Sequence, residues 1–400
     1  MKKGWQTKRL GDFAAAVSTG PFGSILHKSD YVDDGVPLVN PINIVGDSIV
    51  PDPAKLISEV TIKRLSNYVL EEGDIVVGRR GEIGRCAVVG PNESGWVCGT
   101  GSFFIRPLPS LDSQFLAHLI RSPDYREQLE KLSTGATMKN LSNSALGDLV
   151  VSVPPLAEQQ RIVGLLDEAF EGLATAKANA EKNLENARAL FESHLQSVFT
   201  QRGPGWKQKT LEEIATTFGR GKSKHRPRNE PKLYGGKYPF IQTGDIRNAD
   251  HFITEYSQTY SEAGLAQSKL WPKGTICITI AANIAETAIL GFDACFPDSV
   301  IGVVANPKEA EVGFIEYLLQ SFKARIQALG KGSAQANINM GTFENERFPF
   351  PPVTEQRQIV EKLDDLSEET QRLARLYERK HAALEALKKS LLHQAFTRCL

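Results

Sequence analysis

Two stretches of the chain carry an apolar spacing that a long helix satisfies. From Pro351-Pro352 to Thr397 neither proline nor glycine interrupts. Apolar residues step by fours and threes through Ile359, Leu363, Leu366, Leu373, Tyr377, Leu384, Leu387 and Leu391, with Thr370 and Lys380 as polar exceptions. That is a heptad seam. The earlier stretch, from Pro154-Pro155 to Thr200, carries a smaller version in Ile162, Leu166, Ala169, Leu173, Ala176, Ala180, Asn183, Ala187 and Leu190, with Gly164 and Gly172 as its only glycines. Proline pairs suit a helix start, and Glu158 and Glu355 fall in the first turns, where the helix dipole favours acid. A small seam facing a large one predicts a coiled coil. The other arrangement is two amphipathic helices, each buried in its own domain, and forty-odd residues is long for that. Elsewhere the pattern is mixed. Short β-rich runs at Val36–Val39, 74–77, 86–89 and 103–105, and again at 240–241, 275–280 and 300–304, sit between Gly, Pro, Asn and Asp turns and predict strands. One helix per half is predicted to follow, at 113–132 and 311–329.

The chain repeats itself. Gly4-Trp5, Lys8, Leu10 and Ala14 recur as Gly205-Trp206, Lys209, Leu211 and Ala215. Pro37-Leu-Val-Asn-Pro-Ile-Asn-Ile44 parallels Pro239-Phe-Ile-Gln-Thr-Gly-Asp-Ile246, and Gly73-Asp-Ile-Val parallels Gly274-Thr-Ile-Cys. The sharpest match is Pro154-Pro-Leu-Ala-Glu-Gln-Gln-Arg-Ile-Val163 with Pro351-Pro-Val-Thr-Glu-Gln-Arg-Gln-Ile-Val360. Two globular segments, 1–153 and 204–350, should therefore alternate with two long helices, 154–203 and 351–400.

Composition narrows the class. Four hundred residues, 41% hydrophobic and 24% charged, suit a globular chain of more than one domain. No apolar run approaches the ~18 residues of a membrane span, and the start lacks the apolar core of a secretory signal, so a cytoplasmic protein is expected. Cys86, Cys98, Cys277, Cys295 and Cys399 show no CxxC spacing and read as scattered free thiols. No HExxH and no Cys/His cluster nominates a metal site.

Catalytic patterns come close and fail. Gly221-Lys222-Ser223 resembles the end of a phosphate-binding loop, but that motif needs glycine where Thr216 stands. Neither proline pair has the flanks of an amino-methyltransferase loop. No acid-x-Lys pair follows Pro51-Asp52, Pro123-Asp124 or Pro297-Asp298 closely enough for a nuclease. No catalytic residue is nominated.

Net charge is zero, with 47 basic and 47 acidic residues, so any nucleic-acid face must be a local patch. The densest is the run from Arg220 to Arg228, which holds Arg220, Lys222, Lys224, His225, Arg226 and Arg228 and no acid. With Tyr234 nearby it is either a groove-reaching loop or a solvated one, and the two stand even. Lys28, Arg79, Arg80, Arg85 and Lys139 form a sparser set in the first half, which ordinary surface would also explain. Asn40 and Gln242, at matched positions of the repeat, join as candidates because Asn and Gln read adenine edges.

A Gly-Trp opening, a Leu-x-(Asp/Glu)-(Phe/Ile)-Ala phrase and a Pro-Pro-x-x-Glu-Gln-x-x-Ile-Val helix, each occurring twice, resemble the specificity subunit of type I restriction-modification enzymes. The likeness covers essentially the whole chain, and Glu158-Gln159 and Glu355-Gln356 are its most specific part. It implies an α+β protein with two mixed α/β target recognition domains separated by two long antiparallel helices that form a coiled coil, with pseudo-two-fold symmetry. Each domain would read one half of an asymmetric site on double-stranded DNA. The helices, through Glu158, Gln159, Ile162, Glu355, Gln356 and Ile359, would bind modification subunits, two of them, and restriction subunits would join. S-adenosylmethionine, ATP and Mg²⁺ would sit on those partners, with no cofactor in this chain. A coiled-coil scaffold without DNA affinity and an enzyme with an unfamiliar site are the competing classes.

Overall fold

The computed structural model describes residues 4–21, 25–135, 140–225, 227–281, 284–330 and 340–397. The chain divides into two compact units, residues 1–181 with 379–400, and residues 182–378. The two long helices, Leu156–Thr200 and Val353–Thr397, are each 45 residues long and are shared out between the units.

The first unit is built on an antiparallel sheet in the order Ala14–Thr19, Ser102–Pro107, Ile75–Gly78, Cys86–Val88. A smaller sheet runs Val97–Cys98, Val36–Val39, Leu56–Ile57, Tyr31–Val32. The second unit repeats the plan with Ala215–Arg220, Val300–Ala305, Ile276–Thr279 and Thr287–Leu290, and adds Phe252–Ile253 parallel to the last strand. The registers match: Ile75 faces Val88 as Ile276 faces Ile289.

Each globular part is closed by its own ends. Gln6–Arg9 pairs with Val150–Val153, and Lys207–Lys209 pairs with Phe348–Phe350, just before each proline pair. Gly4 and Gly205, at φ 92° and 97°, take a backbone shape that favours glycine, which accounts for the repeated Gly-Trp. Each proline pair then hands the chain to a helix. The Pro155 carbonyl accepts from the N–H of Glu158 and Gln159, and that of Pro352 from Glu355 and Gln356.

The single helix expected in each half is broken in two. Ser113–Arg121 ends where Ser122 is forced extended before Pro123, and Pro123–Leu132 starts afresh. Val312–Ser321 and Lys323–Gly330 are split at Phe322. The first helix of each pair lies on the main sheet with Phe115 and Phe314 fully buried.

In the first unit the two long helices run antiparallel: Lys177 pairs with Glu385 at 2.7 Å and Glu181 with His381 at 3.2 Å. In the second, Arg188 pairs with Glu378. The seam departs from the expected heptad at three places. Lys380, Leu387 and Leu190 are exposed, and His381, Lys388 and Phe191 are more buried beside them. Thr370 belongs to the seam after all, its hydroxyl donating to the Leu366 and Ser367 carbonyls of its own helix.

Candidate nucleic-acid interface

In each unit the first strand of the main sheet, Ala14–Thr19 or Ala215–Arg220, leads into a loop through a glycine that cannot be replaced. A Cβ on Gly20 would sit 2.0 Å from the Gly99 carbonyl oxygen, and one on Gly221 would sit 2.3 Å from that of Phe296. Both glycines donate to the strand opposite, Gly20 to Ser102 and Gly221 to Val300. The basic run of the second unit is thus the loop released at Gly221, equivalent to the loop after Gly20.

That loop is clasped rather than loose. Arg220 Nε donates to the Asp298 carbonyl at 2.8 Å, and one Arg228 nitrogen reaches both Asp298 carboxylate oxygens at 2.9 Å. The Tyr234 hydroxyl donates to the Arg228 carbonyl, and its ring packs on Phe240 and Tyr260, so Tyr234 is a prop and not a free stacking face. His225 pairs with Glu230, whose carboxyl is held below its usual range by Lys232 and His225. Lys222 and Lys224 are exposed. Arg226 lies outside the described residues, as does Lys139. Gln242 donates to Gln258, and its backbone N–H is capped by Asp245 just as that of Asn40 is capped by Asn43.

The first-unit candidates do not form one patch. Arg79 lies over the Phe103 ring and donates to Asn140, while Arg80 is exposed beside it. Burial, and then the Arg80 charge, lower the Arg79 pKa, a repulsion that an approaching anion would relieve. Arg85 turns elsewhere, to Glu82 and the Ile44 carbonyl. Lys28 is exposed on the turn Lys28–Asp30, which Arg64 fastens through Asp30 and the Ile25 carbonyl.

Sequence reasoning missed Lys269 and Lys55. Lys269 stands 3.6 Å from the centre of the Trp271 ring, and burial together with Lys222 lowers its pKa. Lys55 lies over Tyr31. Neither sits in a charge run, so only the fold joins them to the loops.

Of the six residues expected to meet partners, Gln159, Gln356 and Ile162 are buried inside their own unit. Gln159 is fully buried: its amide donates to the Ser110 and Pro154 carbonyls and accepts from the Asp112 N–H. Gln356 makes the same three bonds to Glu309, Pro351 and Glu311. Ile162 is buried and Ile359 packs on the second core. Glu355 accepts from the Trp206 indole, and Glu158 pairs with Arg161. Gln159, Gln356 and Ile162 therefore face inward, because the Glu-Gln helix start is what fastens each globular part to its helix.

Among the described residues no group of His, Cys, Asp or Glu is placed to hold a metal ion, and no helix is long and apolar enough to cross a membrane. Cys86, Cys98, Cys277 and Cys295 are buried free thiols, and Cys399 lies outside the described residues.

The sequence profile described as "Type I restriction modification DNA specificity domain" matches residues 2–186 and again 204–378. The chain belongs to this family. Its relatives include the putative type I restriction enzyme MjaX specificity subunit of Methanocaldococcus jannaschii, 22% identical over 91% of this chain and 88% of that one. The type I restriction enzyme EcoKI specificity subunit of Escherichia coli K12 is 23% identical over 91% and 82%. Among solved structures, a chain from a study of type I R-M complex assembly and conformational transition matches with a TM-score of 0.80 at 22% identity, covering 100% of this chain and 99% of that one. The HsdS subunit from Thermoanaerobacter tengcongensis matches with a TM-score of 0.67 at 21% identity, covering 100% and 98%. The specificity domain is thus present twice, and the chain over its whole length has the fold of these specificity subunits.

Proposed function

We propose that this chain is the non-catalytic DNA-reading subunit of a type I restriction-modification complex, each unit reading one half of an asymmetric bipartite site. One observation carries the proposal: the scaffold is repeated bond for bond at Gln159 and Gln356, while the loops it presents differ. The loop after Gly221 holds Lys222, Lys224 and Arg228, and Thr100 stands in the first unit at the place Asp298 takes in the second. A constant frame with unlike surfaces suits two unlike half-sites. Two sets of base contacts also supply the discrimination that one set lacks against a genome of competing sites.

The repeat also supports two modification subunits, one on each copy of the helix pair, with restriction subunits joining them. Leu190 and Leu387, twin positions of the repeat that are 53% and 47% exposed, are the apolar anchors offered to them. S-adenosylmethionine, ATP and Mg²⁺ belong to those partners. The test is methylation of a random DNA library by the full chain assembled with its modification subunit. Exchanging residues 204–350 for those of a relative should change one half of the methylated motif and leave the other. A motif changed in both halves, or methyl transfer by the chain alone, would sink the proposal.

A further inference from the structure

A cleft of about 610 Å³ opens in the first unit where the C-terminal helix passes the corner between Ser113–Arg121 and Pro123–Leu132. Five cations line it: Arg85, Arg121, Arg126, Lys388 and Lys389. Three acids answer them. Glu82 is divided between Arg85 and Arg126, and Asp47 between Arg121 and, at 3.9 Å, Lys388. Glu385 is taken up by Lys177, which is not part of the cleft wall. Lys389 has no ion pair among the described residues. Positive charge is in excess.

Two polar atoms of residues lining this cleft are buried without a hydrogen-bond partner among the described residues. One is Arg126 Nε, and the other is Nδ1 of His118, a residue 3% exposed. Arg126 Nε is a donor, and a buried donor without a partner is costly; an oxyanion beside surplus cations would satisfy it with a charge-assisted bond. Phe170 and Leu392 make part of the wall apolar, which strengthens any charge pairing there over its value in open water. An anion would also favour the imidazolium of His118, which donates from both nitrogens.

The second unit supplies the control. Its equivalent cleft is lined by Glu286 where the first has Arg85, by Gln320 for Arg121 and by Glu192 for Lys389. The scaffold is shared and the charge is not, so the basic cleft is a property of the first unit and not of the fold.

We propose that this cleft binds a phosphate group, and that in the working protein the phosphate belongs to the DNA backbone. The inference rests on the DNA-reading function proposed above and adds a grip on DNA that does not read its sequence. Arg85 belongs both to the cleft and to the set that the sequence marks for DNA.

The full chain, assembled with its modification subunits, tests this through Lys389→Glu, at an exposed position that folding tolerates, and through Arg126→Gln combined with Lys389→Glu. Binding of a specific and an unrelated duplex is measured across salt concentrations. Both should weaken by the same factor, roughly tenfold in the double variant, and the log affinity against log salt slope should shrink by about 0.9 for each DNA phosphate that the variant no longer neutralises. The methylated sequence should stay the same, and Lys323→Glu in the second unit's cleft should do none of this. Affinity and salt slope at wild-type values in both variants would overturn the proposal, provided the wild-type complex binds its specific duplex. Failure of the wild-type complex to bind at all would overturn the function and not the cleft alone. A second arm uses inorganic phosphate, which should raise the melting temperature of the wild-type complex and not that of the double variant. That response without any change in DNA binding would overturn the DNA backbone as the source and assign the cleft to a soluble phosphate compound.

Discussion

His118 Nε2 lies 3.0 Å from Asp167 Oδ1, and this contact joins the sheet-covering helix of the first unit to the central helix. At the equivalent place in the second unit the Tyr317 hydroxyl donates to Asp364 at 2.7 Å. The carboxylate is kept and its partner exchanged. A histidine titrates near neutrality and a tyrosine does not, so the same tie responds to pH in one unit only.

Burial pushes the His118 pKa below its ordinary value, against the opposing pull of Asp167. The folded unit keeps the ring neutral where the unfolded chain would take up a proton. Its stabilisation is therefore present above the ordinary value of about 6.5 and lost as pH falls through the depressed folded value. Denaturant unfolding of the first unit, followed by Trp5 and Trp96 fluorescence, should show stability falling on the acid side, and His118→Gln should flatten that fall. An equal acid dependence in the variant would refute it.

His251 in the second unit has the opposite sign. Burial alone would lower its pKa, but Glu316, Asp364 and Asp250 together raise it above the ordinary value. Its Nδ1 lies 2.7 Å from Glu316 Oε2 as an ion pair without hydrogen-bond alignment, and Glu316 is fully buried. This contribution is complete below the ordinary histidine value and is lost as pH rises through the raised folded one. Removing the ring alone, in His251→Gln, takes the counter-charge from a buried carboxylate that keeps its hydrogen bonds from Thr287 and Gln320. It should cost up to about 3–5 kcal/mol at a pH below the ordinary histidine value, where the ring is charged. Adding Glu316→Gln should recover much of that loss. Unfolding curves that place the double variant below the single one would show the pair is not the cause.

Gln159→Leu removes three hydrogen bonds and leaves the Asp112 N–H and the Ser110 and Pro154 carbonyls without that partner. At ~1–3 kcal/mol for each buried group left unsatisfied, the first unit should lose about 3 kcal/mol or more. Gln356→Leu should do the same to the second. Leu387→Lys and Leu190→Lys, at exposed positions, should leave both units stable and each weaken the hold on one modification subunit. Size-exclusion mass measurement distinguishes the cases: a Leu→Lys variant that unfolds, or one that binds partners as well as wild type does, would contradict the assignment.

Much of this arrangement is legible in the sequence, because a repeat exposes its own landmarks. The repeat and both helix starts follow from the Gly-Trp and Pro-Pro-x-x-Glu-Gln phrases, and some strands from the β-rich runs, while the strands Ala14–Thr19, Ala215–Arg220 and Thr287–Leu290 lie outside those runs. The role of Gln159 does not, since a polar residue in a first helical turn looks like surface until the fold brings Ser110 and Asp112 to it. The seam fails at Lys380, Leu387 and Leu190 for a related reason. The helix ends pack on the globular cores, through Leu195 and Phe199 in one unit and Leu392 and Ala395 in the other, so the apolar stripe follows the core and not a strict 3.5-residue repeat. The basic cleft is illegible in the sequence, because Arg85, Arg126 and Lys389 are far apart in the chain.

Arg228 decides whether the basic loop reads DNA or only shields the protein. Its double contact with Asp298 joins side chains that are 50% and 39% exposed, and surface pairs of this kind are worth at most ~1 kcal/mol. Asp298→Asn should therefore leave the melting temperature nearly unchanged while freeing the guanidinium, which raises affinity for unrelated duplexes at low salt. Arg228→Glu should instead weaken specific binding. If the guanidinium meets a guanine edge, about 1–3 kcal/mol of discrimination goes at that single base position. The half-site read by the first unit should keep its sequence, because Arg79, Arg80 and Lys28 lie in the other compact unit. Methylation of a randomised library by the assembled complex, read at every position, separates the outcomes. A loss confined to one position assigns Arg228 a base, a uniform loss with a smaller salt slope assigns it a phosphate, and wild-type methylation by both variants would mean that the loop from Gly221 to Tyr234 does not meet DNA.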